Sequence, residues 1–533
     1  LCFRCVRVCN EGMGVGALGV VNRGAVSLIA PNEGDHLNCD ECGMCVDICP
    51  VGALTSGPYR YKTRPWEMEH VGTICTHCSN GCKTTLGVRN DQIVRGNNRD
   101  RSGINGEFLC IKGRYAFDFS DHPERLQAPL MRVNGKLEPV AWSKALETVA
   151  AKFSEVKARN GKFGVIGSNH TTNEENYYLQ KFARQGLGTN NIDHHRTGDV
   201  ISLLDALSGR ANATLATTDD LYHKKAILII GSDLALQQPF LSFQVRANVR
   251  HHGAHVYLVS PHDAREGKYA FANVRAQAGA EFDALEQLRE KLGAEPELVI
   301  LFNDSVKGEA VRRLVDFGSS LGMPVQYCAL LDYSNSRGAV DMRLLPDAGG
   351  LSVAEMLAAN LDVLWVVGAN PLKGGVTFPE RERFVVVQEM FLTETAKTAD
   401  VVLPAGSAYE KTGTVTNVCG QVQRLKRAIA TMGTKPDLEI MGLIGKEMGL
   451  APVLGPWVAD TVFQEIRRTV HGYDVPLPII ASGGAAQTMP VNGRITIETR
   501  PEQIRSSNDN LFTSGTLGRY SKILNSVMER RQP

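Results

Sequence analysis

Cys39-x2-Cys42-x2-Cys45-x3-Cys49-Pro50 is the stretch on which the reading of this chain turns. Three cysteines at three-residue spacing bring successive thiolates round one face of a small inorganic core. A fourth, followed by proline, points elsewhere. This is the bacterial run for a [4Fe–4S] cluster, in which the last cysteine serves the other cluster of a pair. Working back towards the start, Cys2-x2-Cys5-x3-Cys9 is the same run without its leading cysteine, whose place is two residues before Leu1. Crossed wiring then assigns Cys9, Cys39, Cys42 and Cys45 to one cluster. Cys2, Cys5 and Cys49 go to the other, with an upstream cysteine expected to complete it. Val6, Val8, Met44, Val46 and Ile48 lie between the ligands and exclude water, which with hydrogen bonding tunes the potential.

Further along, Cys75-x2-Cys78-x3-Cys82-x27-Cys110 offers four more thiolates. Residues 87–93, 94–96 and 103–110 within it read as short strands with turns. Four thiolates suit zinc as well as iron. The two neighbouring runs favour a third electron carrier. Structural zinc usually pairs one C-x2-C with another and closes on four ligands, which fits the first two runs poorly. A disulfide framework fits worse, since i,i+3 spacings in a large chain suggest metal binding.

Eleven of the 13 cysteines fall in the first 110 residues of 533. Lys+Arg is 58 against 57 Asp+Glu, with 43% hydrophobic residues. This excludes a disordered chain and a strongly basic nucleic-acid binder. The longest apolar runs, 226–230 and 363–367, fall short of the ~20 residues of a membrane helix. No signal peptide is visible. The chain begins with Leu1 rather than Met, so a fragment is expected. Reduced cysteine usage points to the cytoplasm.

From about residue 126 short apolar runs alternate with amphipathic helical stretches. The runs are 163–166, 226–230, 256–259, 298–302, 363–367, 384–387 and 401–403. The helical stretches include 284–292, 354–359 and 458–470, and Ser143 is placed to cap a helix carrying Ala145, Leu146, Val149, Ala150, Phe153 and Val156 on one stripe. Continuous apolar strands between such helices indicate buried parallel sheets, with ligands at the carboxyl ends of the strands. Residues 451–490, rich in Pro and Gly, read as loop with one helix inside. Gly14-Val15-Gly16-Ala17-Leu18-Gly19 matches G-x-G-x-x-G but lacks the preceding strand and following helix of a dinucleotide site, and reads as loop. His194-His195, and His251-His252 with His255, lack accompanying ligand motifs and read as core or surface histidines.

These residues resemble the G-subunit family of bacterial proton-pumping NADH–quinone oxidoreductase, respiratory complex I, within the molybdopterin oxidoreductase superfamily. Leu1-Cys2-Phe3-Arg4-Cys5-Val6-Arg7 resembles the end of its C-I-L-C-x-R-C-V-R motif, and Ile48-Cys49-Pro50-Val51-Gly52-Ala53-Leu54 the partner stretch. Cys75 to Cys110 resembles the Fe–S domain of molybdenum/tungsten bis-pterin enzymes. Thr172-Asn173-Glu174-Glu175-Asn176, Asn190-Asn191-Ile192-Asp193-His194, Thr398–Ala405 and Glu410-Lys411-Thr412-Gly413-Thr414 resemble the body of those enzymes.

The resemblance implies an α/β protein. A ferredoxin-like domain with two [4Fe–4S] clusters and a truncated N-terminus takes 1–65, and a small Fe–S β domain takes 68–127. A doubly wound body of the formate dehydrogenase/DMSO reductase-like type, of two interleaved subdomains, takes 128–470, and a short C-terminal segment takes 471–533. It implies three [4Fe–4S] clusters here, a [2Fe–2S] and a further cluster upstream, and no molybdopterin. The function implied is electron relay from NADH and FMN towards quinone, coupled in the complex to proton translocation, with no catalytic residue in this chain. The partners implied are the NADH/FMN-binding subunit and the quinone-side subunits of the peripheral arm, on the cytoplasmic face of the inner membrane, without nucleic acid or a direct membrane span.

The cluster at Cys9, Cys39, Cys42 and Cys45 is one that many members of this family lack and that NAD-linked formate dehydrogenases carry. The alternative is therefore a molybdopterin-dependent catalytic subunit of that kind. Such enzymes place a cysteine or selenocysteine on molybdenum shortly after Asn-Asn-x-Asp-His, where this chain has His195, Arg196, Thr197, Gly198 and Asp199. Asp199 or Ser202 would have to ligate instead, and a solvated Asp199 is the plainer reading. Lys112 matches a lysine that lies between cluster and pterin in the molybdenum enzymes, or is a surface charge. Cys419 stands where relatives carry Glu and reads as a small buried hydrophobe. A zinc-structured scaffold is the third class.

Overall fold

A computed structural model describes residues 1–210, 212–277, 279–378, 383–488 and 499–531. Cys5 and Cys45 sit on two short helices, α1 (Arg4–Arg7) and α2 (Met44–Ile48), with the other cysteines of the two runs in the segments flanking them, and the hairpin of β1 (Leu18–Val21) and β2 (Leu28–Pro31) lies between. The glycine-rich stretch thus ends in a strand rather than staying loop. Gly14 and Gly16 take positive φ just before it.

A three-stranded antiparallel sheet follows: β3 (Glu69–Ile74), β4 (Lys83–Arg89) and β5 (Gln92–Asn97). Residues 103–110 form turns and no strand, because side chains take the ladder's place. Asn105 Oδ1 accepts from Lys83 N at 2.8 Å, and Asn98 Nδ2 donates to Ser102 O at 2.7 Å. The short helix α3 (Ile111–Tyr115) starts directly after Cys110.

The body holds two large sheets and a small antiparallel one of Gly413–Thr416, Gln421–Leu425 and Ala485–Gln487. The chain first lays down β6 (Leu130–Val133), β7 (Lys136–Pro139), β8 (Phe163–Ile166) and β9 (Ile192–Asp193). It then builds a separate six-stranded sheet from β10 (Ala213–Leu215), β11 (Ala226–Ile230), β12 (His255–Ser260), β13 (Ala272–Arg275), β14 (Leu298–Phe302) and β15 (Val325–Ala329). It returns to the first with β16 (Val363–Val367), β17 (Phe384–Glu389) and β18 (Val401–Pro404). The orders are β7-β6-β18-β17-β16-β8-β9 and β10-β15-β14-β11-β12-β13. The second sheet is parallel throughout, and the first is antiparallel only where β6 meets β7 and β18. Strands such as Ala226–Ile230 and Val363–Val367 are buried at every residue, which is why their sequences do not alternate.

The helix over Trp142–Ala158 buries the expected stripe of Ala145, Leu146, Val149, Ala150, Phe153 and Val156. Its N-cap is Ala141, with no side-chain cap bond, so Ser143 lies inside the helix. Residues 451–488 hold more structure than a loop: helices Ala451–Leu454, Ala459–Thr469 and Leu477–Ala481, and strand Ala485–Gln487. Residues 489–490 lie outside the described residues. Among the described residues no helix is long and apolar enough to cross a membrane.

Candidate metal centres

Cys75, Cys78 and Cys82 occupy the loop that joins β3 to β4. Cys75 N donates to Cys82 O at 2.9 Å and closes that loop. Cys110 arrives from the turn before α3. All four thiols are buried and line one small cavity with Asn80, Phe108, Leu109, Gly113 and Pro239. The backbone N–H of His77 faces the Cys75 sulfur and that of Asn80 faces Cys78. Burial pushes the Cys78 thiol up to about 11, and raises Cys75 and Cys82 as well. Thiols so placed ionise when a cation replaces their protons. Lys112 opposes that rise at Cys78. It is 3% exposed, so it is not a surface charge.

Cys9, Cys39, Cys42 and Cys45 line a second cavity of about 320 Å³. Met13, Val15, Leu18 and Met44 wall it from the ferredoxin-like side, Ile111 and Tyr115 from α3, and Ile523 and Val527 from the C-terminal helix Lys522–Arg531. Amide groups again face the sulfurs. Ala17 N lies 3.3 Å from Cys9 Sγ and Glu41 N 3.4 Å from Cys39 Sγ, while Met44 and Val46 donate to Cys42 and Cys45. Burial holds Cys39 up at about 11 and raises Cys42 and Cys45. Arginines seat this unit on the body. Arg265 forks onto Asp40 at 2.6 and 2.9 Å, and Arg246 donates to Gly12 O at 3.0 Å.

Cys49 faces away, into a separate cavity bordered by residues 51–65. The backbone N–H groups of Val51, Leu54 and Ala53 hold its thiol below the usual range. Cys2 is exposed and Cys5 half-buried on and beside α1; the cavity at Cys49 does not include them. Among the described residues no three His, Cys, Asp or Glu close on a point where a single ion would be held. The thiols stand round cavities instead.

The weaker candidates resolve into structure. His194 Nδ1 pairs with Leu344 O at 2.6 Å and is buried, and His195 Nε2 pairs with Arg505 O at 3.0 Å. His251 pairs with Tyr222 Oη at 2.8 Å and His255 with Glu295 at 2.7 Å. Asp199 is not solvated. It is a buried N-cap, accepting from Ser202 N at 3.0 Å and Gly308 N at 2.7 Å. Ser202 Oγ is buried without a partner. Cys419 is buried beside Cys328, with which it shares a thiol hydrogen bond.

The carboxyl ends of β8, β16, β17 and β18 border a residual cavity of about 50 Å³ lined by His170, Gly368, Glu389, Ser407, Lys411 and Asp437 among others. His170 Nδ1 reaches Thr76 O, inside the cysteine loop, at 3.3 Å. Charged side chains fill the place where a sheet of this kind binds ligands. Lys411 Nζ donates to Glu175 at 2.9 Å and to Asp437 at 3.0 Å. Gln388 Nε2 donates to Asp437 at 3.0 Å, and Trp365 Nε1 to Gln388 at 3.1 Å. In the sequence Glu175 and Lys411 stand only as parts of separate motifs; nothing local tells that they meet.

Burial pushes Glu389 up to about 8, with Asp437 adding to the rise and the Met390 N–H, Arg125 and Lys411 opposing it, so near neutral pH the protonated form is favoured. An unfolded glutamate loses its proton near pH 4.3. Between that pH and about 8 the folded state binds the extra proton, so this group's contribution to stability falls as pH rises. Glu389→Gln keeps the neutral, planar shape. Its thermal midpoint is expected to match wild type near pH 4.5 and to move above it steadily up to pH 8. The gain is roughly 1.4 kcal/mol for each unit of pH inside the window. A flat difference across that range would refute the assignment.

With this geometry in hand, comparison with known proteins gives three family-model matches. Residues 125–447 match the molybdopterin oxidoreductase family, 1–55 the ferredoxin-like domain of NADH-quinone oxidoreductase subunit 3, and 68–122 the molybdopterin oxidoreductase Fe4S4 domain. The NADH-quinone oxidoreductase G-subunit 2 of Rhizobium meliloti is 30% identical, over 99% of this chain and 72% of its own. The NADPH-Fe(3+) oxidoreductase subunit alpha of Geobacter sulfurreducens is 27% identical over 93% of this chain and 69% of its own. Among solved structures, acetylene hydratase from Pelobacter acetylenicus matches with a TM-score of 0.55 at 14% identity, covering 83% of this chain and 78% of that one. That likeness concerns the fold.

Proposed function

Because the chain belongs to the molybdopterin oxidoreductase family, and within it to the G-subunit relatives of NADH-quinone oxidoreductase, we propose that it is the iron–sulfur relay of such a complex. It passes electrons that start on NADH and reach it through a flavin-bearing partner, and delivers them towards quinone, with proton translocation elsewhere in the complex. The observation that carries this reading is the pair of adjacent cavities, each lined by four cysteines, with amide N–H groups aimed at the sulfurs. That donor set suits a [4Fe–4S] core, which supplies reversible one-electron transfer with its potential set by burial and N–H···S bonds.

Cys9, Cys39, Cys42 and Cys45 hold one cluster, and Cys75, Cys78, Cys82 and Cys110 another. Cys2, Cys5 and Cys49 hold a third, with a fourth ligand these residues do not supply. The family models matched over these cysteines are a ferredoxin-like and an Fe4S4 domain, which favours iron over zinc. Paired charged side chains occupy the body cleft, with Lys411 on Glu175 and Asp437, so this reading gives the chain electron transfer and no pterin chemistry of its own. The NADPH-Fe(3+) relative is named for a different donor and acceptor. The partners are the NADH/FMN-binding and quinone-side subunits, at the cytoplasmic face of the inner membrane.

Metal and sulfide analysis of anaerobically purified protein tests this, with low-temperature EPR on the reduced sample. Iron and acid-labile sulfide in equal amount, fast-relaxing cluster signals and no molybdenum are expected. Molybdenum near one per chain, or zinc without iron, would overturn it.

A further inference from the structure

One residue touches the ligand loops of both four-cysteine cavities. Arg114 N donates to the carbonyl of Cys110 at 3.1 Å. Its side chain turns the other way, and Nε donates to the carbonyl of Cys42 at 2.6 Å. Nη1 reaches Asp47 Oδ2 at 2.5 Å, and Nη2 lies 3.1 Å from Met44 Sδ. The side chain is 4% exposed. Backbone shape enforces this approach. Gly43 has φ +69°, and a Cβ there would stand 2.5 Å from Arg114 Cδ and 2.2 Å from Tyr115 Oη. The cavity at Cys42 is walled by Ile111, the residue bonded to Cys110. The local charge is also positive, since Arg95 and Arg99 join Arg114 on the single carboxylate of Asp47, at 3.4 and 3.1 Å.

We propose that Arg114 is a positioning residue that wires the site at Cys9, Cys39, Cys42 and Cys45 to the site at Cys75, Cys78, Cys82 and Cys110, and raises the potential of the first. The inference rests on the relay function above. One electron leaves the group held at the first site and arrives at the group held at the second. No bond to protein breaks and no proton need move. The electrons come from the reduced pyridine nucleotide that feeds the relay. The hydrogen bonds from Arg114 join the two ligand backbones by a short route. Its buried cation favours the more negative, reduced state of a group beside Cys42.

The test uses the full chain with clusters assembled, carrying Arg114→Met, Arg114→Lys or Gly43→Ala. The readouts are iron and sulfide per chain, EPR potentiometric titration, and rapid-freeze EPR after reduction. The signal of the first site is identified by its loss in Cys39→Ser. Arg114→Met is expected to keep its iron, shift that signal to lower potential and weaken its magnetic interaction with the neighbouring cluster. Arg114→Lys retains the cation and is expected to keep most of the potential, with slower electron arrival at the second site because the fork to Cys42 and Asp47 is lost. Gly43→Ala, which leaves the charge and moves the loop, is expected to slow arrival in the same way; it carries the test if Arg114→Met does not assemble. Wild-type potential, coupling and arrival rate in all variants that load iron would overturn the inference and leave the relay standing. A wild-type chain without iron–sulfur signals would instead sink the relay function itself.

Discussion

Cys82→Ala is expected to remove the whole cluster of its set and leave the neighbouring one in place. The chain should lose the iron and sulfide of one cluster per molecule and one EPR signal. The signal assigned to Cys9, Cys39, Cys42 and Cys45 should persist. The loss is expected because three remaining thiolates leave one corner of the core without a protein ligand, and the cavity is buried away from a substitute such as water. It also has a structural cost. Binding free energy at such sites is folding free energy, about 10–16 kcal/mol for structural zinc at neutral pH. With the core gone, the buried thiols revert to the neutral form their raised pKa favours. The loop between β3 and β4 then loses its crosslink to Cys110, keeping only contacts such as Cys75 N to Cys82 O. Protease cleavage near residues 75–110 should speed up in this variant. Cys328→Ala is the control: equally buried but outside every cluster set, it should keep all iron. Full iron in Cys82→Ala would show that the four thiols do not form one site.

Two of the cysteine groupings are legible in the sequence, as thiols that line one cavity each, because their information is local, while Cys2 and Cys5 do not line the cavity at Cys49. A three-residue spacing fixes where successive thiols lie before any tertiary contact forms. The joining of Cys9 to the later triplet follows from the same run, and the two meet at one cavity. The parallel sheets are legible for a similar reason, since strands such as Leu298–Phe302 bury both faces and so read as unbroken apolar runs. What is not legible depends on contacts distant in sequence. Nothing near Arg114 announces that it bridges residues 42 and 110. Helix Lys522–Arg531 carries no sign that Ile523 and Val527 wall a cavity built by the first 45 residues. Ser143 misleads because a good capping residue still yields to the packing of the stripe, which starts the helix at Trp142. Residues 103–110 mislead because asparagine side chains satisfy the backbone without a ladder.

Lys411→Met is expected to destabilise the body strongly. Lys411 is the cation that bridges Glu175 and Asp437, and all three are buried. The carboxylates gain some support elsewhere. Thr172 N donates to Glu175 at 2.8 Å, and Asp437 opens the helix Asp437–Glu447, where the dipole favours a negative charge. That support does not replace a full charge. Removing one partner of a buried ionic group costs about 3–5 kcal/mol, because the remainder stays buried and uncompensated. Burial already raises Glu175 even with Lys411 present, and raises it further without. The sign of the pH dependence follows. A carboxyl whose folded pKa is raised binds its proton more tightly when folded, so the variant's deficit grows as pH climbs above the unfolded value near 4.3. The loss of thermal midpoint should thus be small at pH 4.5 and large at pH 8. Lys411→Met combined with Glu175→Gln and Asp437→Asn removes the stranded charges and should recover a good part of the loss, with a flatter pH profile. Iron content should be unchanged throughout, since the triad touches no cysteine ligand. A single variant as stable as wild type at pH 8 would mean that the cleft is open to water, and that the charges filling it do not replace a ligand there.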